Sequence, residues 1–176
     1  MQHDRENVPN FFARSAELVY YERLFPMPTV EQRRQIEELE RHNWPEDDQQ
    51  RTLKFRDSPT HTAAATTSYN GYWFYAAFSG ETIIGYALFD LRDAQRVYMD
   101  DVGLEHYARG HNIARHLLAY AVHDLFQKTQ ASVIWTKVHP GNAKAYKLYL
   151  NIGFKKSLHG VVDGGRGEVQ VLELHR

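Results

Sequence analysis

The chain has no cysteine among its 176 residues. That excludes disulfides, a thiol nucleophile and thiolate metal sites. It also lacks an excess of either charge: 21 basic against 22 acidic residues leave a formal net charge of -1. Such a balance provides no general attraction for nucleic acid or an anionic membrane. Long apolar runs are missing, and none approaches the roughly 20 residues needed to cross a bilayer. The first residues, Met1 to Glu6, are polar and lack the apolar centre of a signal peptide. There is no internal repeat and no low-complexity tract. His106, His111, His116 and His123 are not at ligand spacing on one helix face, so no metal is expected. A reducing compartment is compatible with the missing cysteine, and a cytoplasmic location is expected.

The residues that are present, 43% apolar and 24% charged, are those of a globular chain able to bury a core. Residues 1–16 read as a loose arm and 17–176 as a single domain.

The domain is organised around Arg109, Gly110, His111, Asn112, Ile113 and Ala114. Strand-like apolar residues precede this stretch, from Val97 to Leu104. After it, Ile113, Leu117, Ala121 and Leu125 recur at four-residue spacing, with Leu118 and Val122 beside them. That spacing predicts a helix with a broad buried face. The stretch is therefore a strand-to-helix turn. The first N–H groups of a helix lack internal partners and sit at the positive end of its dipole, so such a turn can hold phosphate. Gly110 allows close approach, and Asn112 tolerates left-handed dihedrals. An ordinary surface loop is the alternative.

Other elements follow in order. Residues 17–25 lean to a strand, stopped by Pro26 and Pro28. Thr29 and Gln32 have capping-box spacing and open a helix with a thin stripe of Val30, Ile36 and Leu39, ended by Asn43 and Pro45. Residues 51–69 are the least readable, a short helix plus a loop. Residues 72–78 and 82–91 make a hairpin through Ser79, Gly80 and Glu81. Residues 96–104 and 132–138 are strands on either side of the 113–126 helix, which implies a right-handed parallel crossover. Asn142 caps a helix over 143–151 that places Ala145, Leu148, Tyr149 and Ile152 on one face, with Gly153 as its breaker. Residues 154–158 and 169–174 are closing strands, joined by a 163–167 loop. Trp73, Phe74 and Tyr75 read as sheet core. The fold class is α/β (α+β), a mixed central sheet of about six or seven strands flanked by helices.

Two motifs carry a resemblance. Residues 109–114 are similar to the Arg/Gln-x-x-Gly-x-Gly/Ala acyl-CoA loop of the GNAT superfamily of N-acetyltransferases. Residues 142–154, with Asn142, Ala145, Tyr149, Gly153 and Phe154, resemble that family's Asn-x-x-Ala-x-x-x-Tyr-x-x-x-Gly-Phe signature. The likeness is strong over 98–154, moderate over 72–97 and 155–174, and weak over 1–71. The chain departs from the pattern at Asn112, which stands where the loop has its second glycine. The backbone N–H survives, but a Cβ crowds the pyrophosphate.

The resemblance implies acetyl-CoA as co-substrate and transfer to a primary amine by direct attack in a ternary complex. The pyrophosphate would rest on Arg109, Gly110, His111, Asn112, Ile113 and Ala114, with Asn142 nearby. The pantetheine arm would pair with Val102 and Leu104, and an N–H near Leu104 would stabilise the oxyanion. Gly103 suits a bulge that splays its strand from 133–138, or is a packing glycine. Tyr149 matches the family's acid, because a phenol near ~10 can return a proton to a thiolate near ~8.5. An alkyl amine near ~10.4 is almost wholly protonated at neutral pH, so a base helps. Asp100 and Asp101 should point to opposite faces of their strand. The strand resembles that of spermidine/spermine acetyltransferases, which implies Asp100 as base and Asp101 near the amine. The acceptor is then a polyamine, another small amine, or a protein amine. No nucleic-acid or membrane partner is expected, and family members are often dimers. The competing function is a non-catalytic acyl-CoA-binding module that kept the fold, which Asn112 favours and Tyr149 and Asn142 oppose. A dinucleotide-binding oxidoreductase is disfavoured by the incomplete glycine fingerprint.

Overall fold

The computed structural model describes residues 6–8, 19–24, 28–43, 71–163 and 167–176. In these residues one sheet runs in the order β1-β2-β3-β4-β5-β6-β8-β7. The strands are β1 (Glu6–Val8), β2 (Val19–Arg23), β3 (Tyr72–Ser79), β4 (Thr82–Asp90), β5 (Arg96–Leu104), β6 (Val133–Val138), β7 (Lys155–Asp163) and β8 (Glu168–His175). Seven strands carry the domain. The eighth, Glu6–Val8, is a three-residue edge strand from within the N-terminal arm, paired with β2. All pairings are antiparallel except β5 with β6, which is parallel and joined through a helix. The expected helix–strand order is the observed one.

Three helices flank the sheet: α1 (Val30–Asn43), α2 (Ile113–Lys128) and α3 (Ala143–Ile152). The Thr29 amide donates to Gln32 Oε1 at 2.8 Å and the Gln32 amide to Thr29 Oγ1 at 3.2 Å, so the capping box forms. Ile36 and Leu39 are buried, but Val30 is exposed and leaves the expected stripe: it sits in the first turn, before α1 meets the sheet. Along α2, Ile113, Leu117, Leu118, Ala121 and Leu125 are all buried. Pro26, Pro45 and the 51–69 stretch lie outside the described residues.

Alternation along β3 builds two cores. Tyr75 and Ala77 join the α2 residues, whereas Phe74, Ala76 and Phe78 join Ile36 and Leu39 of α1. The two clusters are therefore the two faces of the sheet. Trp73 packs on the α2 core, so the aromatic run is core as expected.

Two irregularities position the site. The parallel β5–β6 ladder runs from Arg96↔Val133 to Tyr98↔Trp135 and pairs no further, although β6 stays paired with β8 as far as Val138. The strands part after Tyr98. A bulge also interrupts β5: Leu88 pairs with Asp101 and Phe89 with Met99, so Asp100 is the extra residue. The bulge is thus at Asp100 and not at Gly103, which stays in register opposite Tyr86. Gly103 is a packing glycine. A Cβ there would lie 2.4 Å from Tyr86 Cε1 and 3.1 Å from Leu39 Cδ2.

Candidate active site

Backbone parity decides which atoms face the opening between β5 and β6. The Glu105 amide donates to the Ile84 carbonyl at 2.9 Å, so Glu105 and Gly103 direct their backbone groups toward β4. Val102 and Leu104 then direct theirs into the opening. Both are engaged locally. The Val102 amide donates to Asp101 Oδ1 at 2.8 Å. The Leu104 carbonyl accepts from Arg109 Nε and an Arg109 terminal nitrogen, each at 3.4 Å, and the same guanidinium bonds Asn43 Oδ1 at the end of α1. At the apex, where the ladder stops, Thr136 Oγ1 donates to the Met99 carbonyl at 2.9 Å in a buried position. A side chain thereby replaces the missing strand partner, and the opening is a built feature.

The loop after β5 turns through two left-handed residues. Gly110 has φ 83° and Asn112 φ 61°, the only non-glycine residue in the left-handed region among the described residues. Asn112 is the N-cap of α2, yet its side chain makes no capping bond, so it does not occupy the amides of the first turn. A Cβ at Gly110 would meet nothing within 4 Å, so the loop is open on that side. Arg109, His111 and Asn112 are exposed, Ala114 is half-buried and Ile113 is core.

From the other side of the opening comes α3. Asn142 Oδ1 accepts from the Ala145 amide at 3.1 Å, and Gly153 ends the helix with φ 110°. Asn142 is thus a structural cap, and the residue is exposed. Tyr149 is buried at 9% exposure against Phe154. Burial raises its hydroxyl well above the usual phenol value, and the charge of Asp101 and then Tyr98 add to this. Tyr149 is therefore a neutral phenol, proton in place, beside the point where β5 leaves β6.

The two acids do not face opposite ways. Strict alternation would send Asp101 to the α2 face, with Met99. The extra residue resets the phase, and Asp101 Oδ2 instead accepts from the Tyr86 hydroxyl at 2.6 Å, in the α1-face cluster. Asp100 acts electrostatically on Tyr72 and Arg92, on that same face. The bulge thus sets both carboxylates on one side of the sheet. Asp101 is the acid whose field reaches Tyr149. Thr136, Tyr86 and Tyr98 completed this arrangement without a sequence signal, because each acts through a partner strand.

On the same face lies a cleft of about 850 Å³, walled in part by Tyr98, Trp135 and Lys137. Among the described residues no cluster of His, Asp or Glu could hold a metal ion.

This geometry can be compared with known proteins. The model of the Acetyltransferase (GNAT) family matches residues 31–154, and the chain belongs to that family of acetyltransferases. Solved structures share the fold. A GNAT-family chain from Desulfovibrio desulfuricans is 16% identical, with 89% of this chain and 98% of that one covered and a TM-score of 0.71. A chain of the NatC complex bound to Gag peptide and CoA is 20% identical, with coverage of 90% and 98% and a TM-score of 0.64. The PaiA N-acetyltransferase of Thermoplasma acidophilum, in complex with coenzyme A, is 21% identical. There 60% of this chain and 62% of that one are covered, at a TM-score of 0.52. The sequence finds no match among curated proteins.

Proposed function

We propose that the protein transfers the acetyl group of acetyl-CoA to a primary amine by direct attack, with no acyl-enzyme. The observation that carries this is the parting of β5 from β6 after Tyr98, with Tyr149 on one side and the Gly110–Asn112 turn at the mouth. Acetyl-CoA supplies an activated thioester carbonyl. The amides of 110–114 and the dipole of α2 would hold its pyrophosphate. The backbone of Val102 and Leu104 would pair with the pantetheine arm, and the Leu104 N–H would donate to the oxyanion. Arg109 would leave the Leu104 carbonyl for the phosphates, and Asn142 would meet the cofactor from α3. His111 adds a second polar group at the turn.

Asp100 is proposed as the base that takes the ammonium proton, directly or through water, and Asp101 as the charge beside the amine. Their shared face supports this pairing, since one acceptor can meet both. The neutral amine attacks the carbonyl carbon, the C–S bond breaks, Tyr149 gives its proton to the thiolate, and the proton shed by the acylated nitrogen returns to the phenolate, so that Asp100 holds the one proton released. Burial keeps Tyr149 protonated at neutral pH and makes it a weaker acid than a free phenol, so it yields its proton only to the thiolate as that forms.

The family resemblance further supports a cytoplasmic location and a homodimer. No described helix is long and apolar enough to cross a membrane. The reading is tested by a panel of amines with acetyl-CoA, with acetylated product detected by mass. Release of CoA should require an amine and should fall about 10²-fold or more in Tyr149→Phe, the usual worth of a general acid. Tight CoA binding with no amine acetylated would refute the transfer.

A further inference from the structure

With the acetyltransferase reading above as premise, the opening between β5 and β6 has a primary amine of the protein's own at its edge. The last β5–β6 pair is Tyr98↔Trp135. Thr136 then tethers the Met99 carbonyl across the gap. Lys137 and Asp100 are the next residues on the two strands, so they stand level with each other just past the apex. They also share a face of the sheet. Lys137 lines the cleft with Tyr98 and Trp135, and Asp100 acts on Tyr72 and Arg92 on that side. Lys137 stays paired with Val171 of β8, which fixes its backbone while β5 diverges.

The Lys137 ammonium is available for chemistry. The side chain is exposed, and among the described residues it is the only lysine lining the cleft. Two other cations there are held: Arg92 by Asp90, through Nε to both carboxylate oxygens at 2.9 Å, and Arg96 by Glu173 Oε1 at 2.8 Å. Lys137 has no carboxylate within ion-pair distance among the described residues. Its Nζ lies over the Trp135 ring, 5.8 Å from the centroid. Such a contact is weak at an exposed site, and the flexible four-carbon stem can leave it. Tyr149 belongs to the α2-face core, on the other side of the sheet. A thioester between the parted strands therefore has the phenol on one face, and Lys137 with Asp100 on the other.

We propose that Lys137 is a modification site, acetylated on Nζ by the protein's own active site when no other acceptor competes. Asp100 takes a proton from the ammonium. The neutral nitrogen attacks the thioester carbonyl carbon, the N–C bond forms and the C–S bond breaks. Tyr149 protonates the departing thiolate and recovers a proton from the acylated nitrogen. The products are N-acetyl-lysine, free CoA and one proton on Asp100. The reaction runs within one chain, because Lys137 and Asp100 sit on the two strands that form the opening. Each chain is modified once at this site, and the charge over Trp135 is removed.

The test incubates the native protein with isotope-labelled acetyl-CoA and no acceptor, and follows each lysine by peptide mass spectrometry. Lys144, Lys147, Lys155 and Lys156 are exposed and report plain chemical acetylation in the same sample. Lys137 should be acetylated about 10²-fold faster than these, the usual worth of acid–base assistance. Its first-order rate should not change when the protein is diluted. Excess CoA, which competes for the cofactor site, should slow Lys137 and leave the reference lysines unmoved. Tyr149→Phe should do the same, by about 10²-fold. The CoA arm uses the native protein, so the outcome does not hang on the folding of a variant. A Lys137 rate equal to that of the reference lysines, proportional to protein concentration, or unmoved by CoA would overturn the inference. If an amine of the panel above is acetylated in that case, the transferase reading stands. If neither Lys137 nor any amine is acetylated, both fall.

Discussion

Gly103→Ala should destabilise the protein strongly, and for a steric reason alone. Gly103 does not have a positive φ, so alanine costs nothing in backbone conformation. Its Cβ would however stand 2.4 Å from Tyr86 Cε1, 3.0 Å from Tyr86 Cζ and 3.1 Å from Leu39 Cδ2. Tyr86 is fully buried and its hydroxyl is held by Asp101 at 2.6 Å, so the ring cannot move aside and keep that bond. Overpacking of this kind costs about 1–3 kcal/mol. Losing a bond to a carboxylate costs about 1.5–3 kcal/mol more if the ring shifts. The total, about 2.5–6 kcal/mol, corresponds to a fall in Tm of roughly 5–24 °C for a chain of this length. The assay is urea denaturation of a double-mutant cycle with Tyr86→Leu, which removes the ring. If the clash is with Tyr86, adding Gly103→Ala to Tyr86→Leu should cost at least about 1 kcal/mol less than adding it to the native protein. Additive costs, or a neutral Gly103→Ala, would refute the reasoning. Transfer activity should fall with the Tyr86–Asp101 bond, because that bond positions the acid beside Tyr149.

Thr136→Val preserves shape but strips the donor from the buried Met99 carbonyl, and should cost about 1–3 kcal/mol in denaturation. Asn112→Gly removes the Cβ at a left-handed residue; it should shift stability by less than about 1 kcal/mol yet lower the Kd for CoA severalfold by calorimetry. Burial pushes the Tyr21 hydroxyl up to about 12, and Tyr75 and Tyr149 are also raised. The unfolded chain loses these protons first, so the tyrosines' contribution to stability should be constant below about pH 10 and be lost as pH rises toward 12, which alkaline unfolding monitored by circular dichroism checks.

Much of this was legible in the residues because it is local. The capping box needs only Thr29 and Gln32, and the α2 face only the spacing of Ile113, Leu117, Ala121 and Leu125. Strand ends at Arg96, Leu104 and Val138 came from composition and turn residues. What stayed hidden depends on partners. A bulge is a count across two strands, so nothing in β5 alone separates Asp100 from Gly103 as the extra residue. Assuming unbroken alternation then sent Asp100 and Asp101 to opposite faces, when the bulge turns both to one. Thr136 reads as an ordinary strand threonine until β5 departs from β6 and exposes the Met99 carbonyl. The cleft is hidden for the same reason, since its wall draws on β5, β6, β7 and β8.

The direct trial of the whole account is a crystal structure of the protein with acetyl-CoA. It should show the pyrophosphate on the amides of residues 110–114, the pantetheine arm along Val102 and Leu104, and the sulfur within hydrogen-bonding reach of the Tyr149 hydroxyl. A turn left bare, with Arg109 still on the Leu104 carbonyl and the thioester bound elsewhere, would contradict it.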